Sequence, residues 1–352
     1  MEKLSFSWKR NLSILPLIIF IFVIMVASIY LVLKWPNNTD QVVAESPNNT
    51  DIENKCQARR KLDGLCLSDT VSESFPVVVM IDNHTDANPP SGLSQASLVY
   101  EAIAEGSITR LVAVFDSSSQ IEEIGPIRSA RPYFVDWASE FKAVYVHVGG
   151  SDEALTLIPS RNIYDLNEFS NGGYFWRDIY RFAPHNSMTS MALVTQATSE
   201  KGWDEFDQFD SWIFKADAGI EDRGQVLNIK IDFGQPSHEV DWTYDSSTNS
   251  YLRSQAGLKY LDSDRNQLST KNLVIMYSES KIIDDYGRRF TETIGSGNAT
   301  IFLDGRAIDG VWQRDSVNNR TRFFDVDNHE INFNAGPTWI EVVPDHFPPV
   351  EY

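Results

Sequence analysis

The sequence predicts an α/β N-terminal domain followed by a mostly β C-terminal domain, on a single N-terminal transmembrane helix. Three observations lead there. Leu12–Leu33 is an uncharged run of 22 residues; as a helix it would reach about 33 Å, enough to cross a bilayer. From Phe75 onward, strand-like apolar runs alternate with helix-like ones, the pattern of an α/β domain. From Gln225 onward, short strand-like runs follow one another with turn signals between them. The predicted organisation is a cytoplasmic N-terminus at 1–11, a signal anchor at 12–33, a flexible tether at 34–74, an α/β domain at 75–218 and a β-rich domain at 219–352.

Lys3, Lys9 and Arg10 precede the apolar run, so the positive-inside rule keeps the N-terminus in the cytoplasm and places the domains outside the membrane. The run is longer than the apolar core of a cleavable signal, and no small-x-small cleavage site follows, so the anchor is expected to stay. The tether repeats Pro-Asn-Asn-Thr-Asp at 36–40 and 47–51 and has little to bury. Cys56 and Cys66 can form a disulfide outside the cell. No further Cys or His lies beside them to complete a metal set.

Val77–Ile81 reads as a buried strand that breaks into Asp82-Asn83-His84, delivering polar side chains to a sheet edge. Leu93–Ala104 is predicted as a helix, with Leu93, Ala96, Val99 or Tyr100, and Ile103 on one face. Arg110–Phe115 reads as a strand, Pro132–Phe141 as a helix opened by proline, and Ala143–Val148 as a strand. Ser151 is placed to cap a helix over Glu153–Leu157. The later strands, among them Glu239–Tyr244, Leu273–Ser278 and Trp339–Val343, are expected to form a separate sandwich or open barrel. Net charge is −19; residues 1–34 contribute +3, leaving −22 on the rest. So acidic a chain has no broad footprint for nucleic acid, although a local arginine-lined pocket for one anion fits within it.

Arg128-Ser129-Ala130-Arg131 sits in a loop bounded by Gly125, Pro126 and Pro132, where two guanidinium forks can meet a carboxylate or phosphate. Arg181, near His185 and Asn186, can add a third. Asp82, His84, His147 and His185 offer acid–base or metal-binding side chains, but their spacing matches no ligand pattern and no metal is expected. Glu101 and Glu105, at i and i+4 on the predicted helix, would share a face, with Arg110 a partner for Glu105. Ser129 lacks the surroundings of a known serine nucleophile.

MIDNH (80–84), SGLSQASLVYEAIAEGSITR (91–110), GPIRSARPYF (125–134), VYVHVGGS (144–151), FAPHNS (182–187), RTRFFD (320–325) and GPTWIEVVP (336–344) occur in one order along the chain. In these motifs the sequence resembles the bacterial YerB-like family of envelope lipoproteins, two-part proteins of unknown function. It departs from them in having no cysteine directly after the apolar run, since Cys56 lies 23 residues beyond Leu33. The resemblance implies an extracytoplasmic envelope protein and supplies no reaction. The expected function is binding or scaffolding of a cell-wall fragment or envelope protein, without a cofactor. In it Arg128, Arg131 and Arg181 hold acidic groups, and Asp82, Asn83, His84 and His147 shape the pocket. The alternatives are a wall hydrolase using Glu101, Glu105 or Asp82 with His84 and His147, and an acidic protein–protein interaction module.

Overall fold

The computed structural model describes residues 56, 58–67, 74–161, 163–206, 209–226 and 228–352. In chain order the N-terminal half supplies strands β1 (Pro76–Asp82), β2 (Leu98–Ile103) and β3 (Thr109–Asp116), then helix α1 (Pro132–Ala138) and strand β4 (Val144–His147). Helix α2 (Asp152–Leu157), strand β5 (Tyr164–Asn167) and helix α3 (Met191–Glu200) complete it. The C-terminal half is mostly β: β6 (Asn228–Ile231), β7 (Val240–Asp245), β8 (Ser250–Gln255), β9 (Asn272–Ser278), β10 (Gly295–Leu303), β11 (Arg306–Arg314), β12 (Arg322–Asp325) and β13 (Thr338–Pro344). Shorter elements lie between them.

One ten-stranded sheet runs through both halves in the order β12-β11-β10-β9-β13-β2-β3-β1-β4-β5. The join is β13, which lies parallel to β9 on one side and to β2 on the other. The expected separate sandwich is therefore corrected: β9 to β13 extend the sheet begun by β1 to β5, and only β6, β7 and β8, with two short strands, form a second sheet. That second sheet covers one face, where Ile229, Ile231, Val240 and Trp242 meet Val77, Val79 and Ile81. On the other face Tyr133, Phe134 and Trp137 of α1 meet Val78 and Met80. With both faces covered, every residue of β1 is buried, as its unbroken apolar run requires.

The helix expected over Leu93–Ala104 is a 3-10 turn, Leu93–Gln95, followed by β2. Its apolar positions satisfy both periods, and burial on both faces decided for the strand. Leu98, Tyr100 and Ala102 pack on one side, Val99 and Ile103 on the other. Ser151 does cap α2, accepting from the Ala154 N–H. Cys56 and Cys66 are joined as a disulfide, with Cα atoms 5.4 Å apart. Among the described residues no helix is long and apolar enough to cross a membrane, and Leu12–Leu33, with the repeats of the tether, lies outside them.

Two fully buried ion networks link the halves. In the first, Arg253 of β8 donates to both oxygens of Glu101 on β2, at 3.0 and 2.8 Å. Thr109 and Trp339 add bonds of 2.7 and 3.2 Å to the same carboxylate. The guanidinium also lies 4.2 Å from the centre of the Tyr260 ring. Glu341 stands directly beside Glu101 in the β2–β13 register. Burial, then the charge of Glu101, pushes the Glu341 carboxyl well above its ordinary range, so it is the protonated member of the pair. In the second network, on the opposite face, Glu140 accepts from Tyr100 and Thr321 and lies 3.7 and 3.5 Å from Arg314 and Arg320.

Arg253→Ala would strand a buried carboxylate, and is expected to cost about 3–5 kcal/mol in chemical denaturation. Pairing Arg253→Met with Glu101→Leu should recover most of that loss; a double variant no better than Arg253→Ala refutes the assignment. A carboxyl whose folded pKa is raised gives stability that is full below the unfolded value and is lost as pH rises toward the folded one. Glu341→Gln, which mimics the protonated acid, should therefore gain on wild type by about 1.4 kcal/mol per pH unit above the ordinary carboxyl range. Urea midpoints at pH 5 and pH 8 measure this, and a gap that ignores pH would show Glu341 to be ionised.

Candidate functional site

The polar residues singled out in the sequence gather where β1 ends. Gly125–Arg131 crosses this end and runs between the ends of β1 and β4. Asp82 N–H donates to Pro126 O at 2.8 Å and Arg128 N–H to Met80 O at 2.9 Å. On the other side Val148 N–H donates to Arg128 O at 3.1 Å and Ala130 N–H to Gly149 O at 3.0 Å. The backbone carrying Arg128, Ser129 and Arg131 is thus fixed on both flanks.

Two side-chain groups form on this frame. In the first, Glu105 accepts from Arg110 Nη2 at 3.0 Å and from Arg131 Nε, while Arg110 Nη1 donates to Ser129 O at 3.2 Å. Burial would raise the Glu105 carboxyl, but the bond from Arg131 and the charges of Arg110 and Arg131 hold it below the usual range. Arg110 is itself pulled down to about 10, by burial first and then by the like charges of Arg131 and Arg128. It stays cationic at neutral pH. The buried Tyr145 hydroxyl, within reach of the Arg131 and Arg110 charges, has no hydrogen-bond partner among the described residues.

In the second group, Asp82 is 2% exposed. Its Oδ2 accepts from His185 Nδ1 at 2.7 Å and lies 3.2 Å from Arg128 Nε. Its Oδ1 accepts from the His84 N–H at 3.0 Å. The His84 and His185 rings stack with centroids 4.4 Å apart and planes 19° from parallel. Asp86, which the sequence reading passed over, completes this group beside His84.

Five other residues are employed elsewhere. Asn83 points into the core, where it donates to Thr109 at 2.7 Å and accepts from Tyr260 at 2.6 Å. Glu101 shares that core network and no face with Glu105, because the expected helix is a strand. His147 is buried with both nitrogens engaged, on Gly149 O at 2.7 Å and Asp165 Oδ1 at 2.8 Å. With Glu101 and His147 both sealed, the hydrolytic alternative loses one of its acids and one of its bases. Ser129 Oγ has no hydrogen bond to a histidine among the described residues. Arg181 is a fastener: it donates to Asp178 at 3.0 Å and to the carbonyls of Ala87 and Pro89. Asn186 accepts from Arg177 and closes the same 178–186 hairpin. That hairpin carries His185 and holds Ile179, Tyr180 and Phe182 outward at 84%, 90% and 89% exposure.

The chain matches the family model described as protein of unknown function (DUF3048) N-terminal domain over residues 62–204, and its C-terminal counterpart over 229–340. It is 34% identical over 288 residues to the Bacillus subtilis (strain 168) protein named "Putative lipoprotein YerB", covering 81% of this chain and 86% of that one. The crystal structure of YerB from Bacillus subtilis superposes with a TM-score of 0.74 at 33% identity, covering 82% of this chain and 97% of that one. These findings correct the expected single transmembrane helix. The relative bears the name of a lipoprotein, a class held by lipid on a cysteine, and no membrane-crossing helix occurs among the described residues.

Arg181→Ala is expected to release the hairpin locally, raising amide hydrogen exchange over 178–186 at least tenfold while the global denaturation midpoint moves little. Unchanged exchange there would show that Arg181 does not fasten it.

Proposed function

The chain belongs to the two-part DUF3048 family, and from that premise we propose that it is a binding or scaffolding protein of the cell envelope that holds an anionic group at Arg110, Arg128 and Arg131. The lipoprotein name of its relative supports the envelope location. The observation that carries the binding reading is the crowding of guanidinium charge around Arg110. Three arginines meet here, and Glu105 is bonded to two of them. Burial is the first cause that depresses Arg110, and the charges of Arg131 and Arg128 add to it; an arriving carboxylate or phosphate relieves that second part. It also accepts bonds from forks whose backbone is already fixed, so little ordering cost remains. Arg181, expected to join this set, is left out because Asp178 and the carbonyls of Ala87 and Pro89 engage all three of its nitrogens.

Between a wall fragment and an envelope protein, the hairpin favours a protein. Ile179, Tyr180 and Phe182 hold large apolar surfaces in water on a segment fastened by Arg181, the arrangement of an interaction anchor. The anionic group would then be an acidic side chain or a C-terminal carboxylate of that partner.

Full-length protein is expected to bind a fluorescent glutamate-rich peptide in a salt-sensitive manner, with affinity falling about tenfold, or 1.4 kcal/mol, on Arg131→Ala and likewise on Arg128→Ala. Retention on purified cell-wall sacculi, measured alongside, distinguishes a wall ligand. If both folded variants bind peptide and sacculi as wild type does, the arginine cluster is structural and the reading fails.

A further inference from the structure

We propose that His84, Asp86 and His185 form a binding site for a divalent transition-metal ion of the zinc class. The three side chains come from two segments far apart in sequence, yet each offers a ligand atom and these atoms all lie within 4.8 Å of one another. Two imidazoles and one carboxylate make a donor set that suits zinc and its neighbours, and not the oxygen-seeking calcium or magnesium.

The hydrogen bonds around the two rings support this beyond proximity. His185 Nδ1 donates to Asp82 Oδ2 at 2.7 Å, which leaves Nε2 as the lone-pair nitrogen. Asp82 is almost wholly buried and is itself held by Arg128 and by the His84 N–H. A fixed carboxylate behind an imidazole is the support that orients metal-binding histidines and raises their basicity. His84 Nδ1 accepts from the Asp86 N–H at 3.2 Å, so that nitrogen too carries a lone pair and not a proton. The bond is long and readily exchanged for a metal. Both rings are partly exposed and Asp86 is exposed, which gives an ion a path in and leaves positions for water. The rings now stack face to face, and ion capture replaces that stacking with a shared ligand point.

Asp325, Asp327 and His329 supply a comparison. They also lie within 4.8 Å of one another, but on an exposed turn where Asp325 Oδ1 already accepts from the Asp327 and His329 N–H groups at 2.9 and 2.8 Å.

The test is titration of chelator-stripped full-length protein with zinc chloride by calorimetry, and with cobalt chloride by visible absorption. One ion per chain is expected. His84→Ala, Asp86→Asn and His185→Ala should each weaken binding at least tenfold. Asp82→Asn should weaken it about 10–100-fold with the stoichiometry kept, through loss of the support to His185. Asp86→Asn alters an exposed side chain and is the variant least able to disturb folding; circular dichroism checks the others. Asp327→Asn and Arg131→Ala should bind zinc as wild type does, which separates this site from the anion reading. No binding at millimolar zinc overturns the proposal, as does binding untouched by the three substitutions or abolished by Asp327→Asn.

Discussion

The ion pair between Glu101 and Arg253 is the constraint on which the rest of this fold depends. Each charge, taken out of water alone, would cost several kcal/mol, and the pair is tolerable because both oxygens of the Glu101 carboxylate are fully bonded. Arg253 reaches both carboxylate oxygens, while Thr109 and Trp339 take up the remaining lone pairs. Glu341, one strand away, cannot also ionise against this carboxylate and keeps its proton. The acid comes from the N-terminal half and the arginine from the C-terminal half, so neither half can seal its own core. Glu140 with Arg314 and Arg320 puts a second buried charge cluster on the opposite face of the same sheet, where the Arg320 guanidinium lies against the Phe141 and Trp212 rings. Two family models thus describe two halves of one body.

The same network decides what the surface site can contain. Along β1 and past its end, alternation sends Asn83 inward to Thr109 and Tyr260 and leaves Asp82 with His185 and Arg128. Beyond β2 the chain turns back through Gly106, whose φ of 65° a side chain rarely adopts, and so Glu105 reaches Arg110 and Arg131 at the rim while Glu101 stays in the core. Residues close in sequence therefore serve different ends: Asn83 and Glu101 brace the core, while Asp82 and Glu105 engage histidines and arginines at the strand ends. The bracing residues hold the strand ends still, and that rigidity keeps the arginines and histidines in register without a ligand present.

How much of this was legible beforehand follows from the range of the interactions involved. β1 could be read because an unbroken apolar run flanked by polar residues has one economical structure. The strands of the C-terminal half were readable from alternation and turn residues. β2 was not, since Leu93, Ala96, Val99 and Ile103 fit a helical stripe as well as a strand, and only contacts with β3 and β13 distinguish the two. Nothing local marks Glu101 as a core residue, because its partner is 152 residues away. Arg131 and Arg181 look alike in sequence. Their roles diverge because Asp178 and the distant carbonyls of Ala87 and Pro89 take all three nitrogens of Arg181, while Arg131 is bonded through Nε and Nη1, and that is a tertiary fact.

The two proposed sites at the end of β1 are joined through a single atom. Asp82 Oδ2 meets His185 at 2.7 Å and Arg128 at 3.2 Å, so the carboxylate divides its charge between them. An anion that draws the Arg128 guanidinium toward itself leaves that oxygen more fully to His185, which makes the opposite nitrogen of the ring a better donor. An ion held by His185 has the reverse effect on Arg128, since the carboxylate then serves the imidazole first. The coupling is reciprocal by necessity. It needs no movement of the sheet, because a shared oxygen between two side chains is enough to carry it.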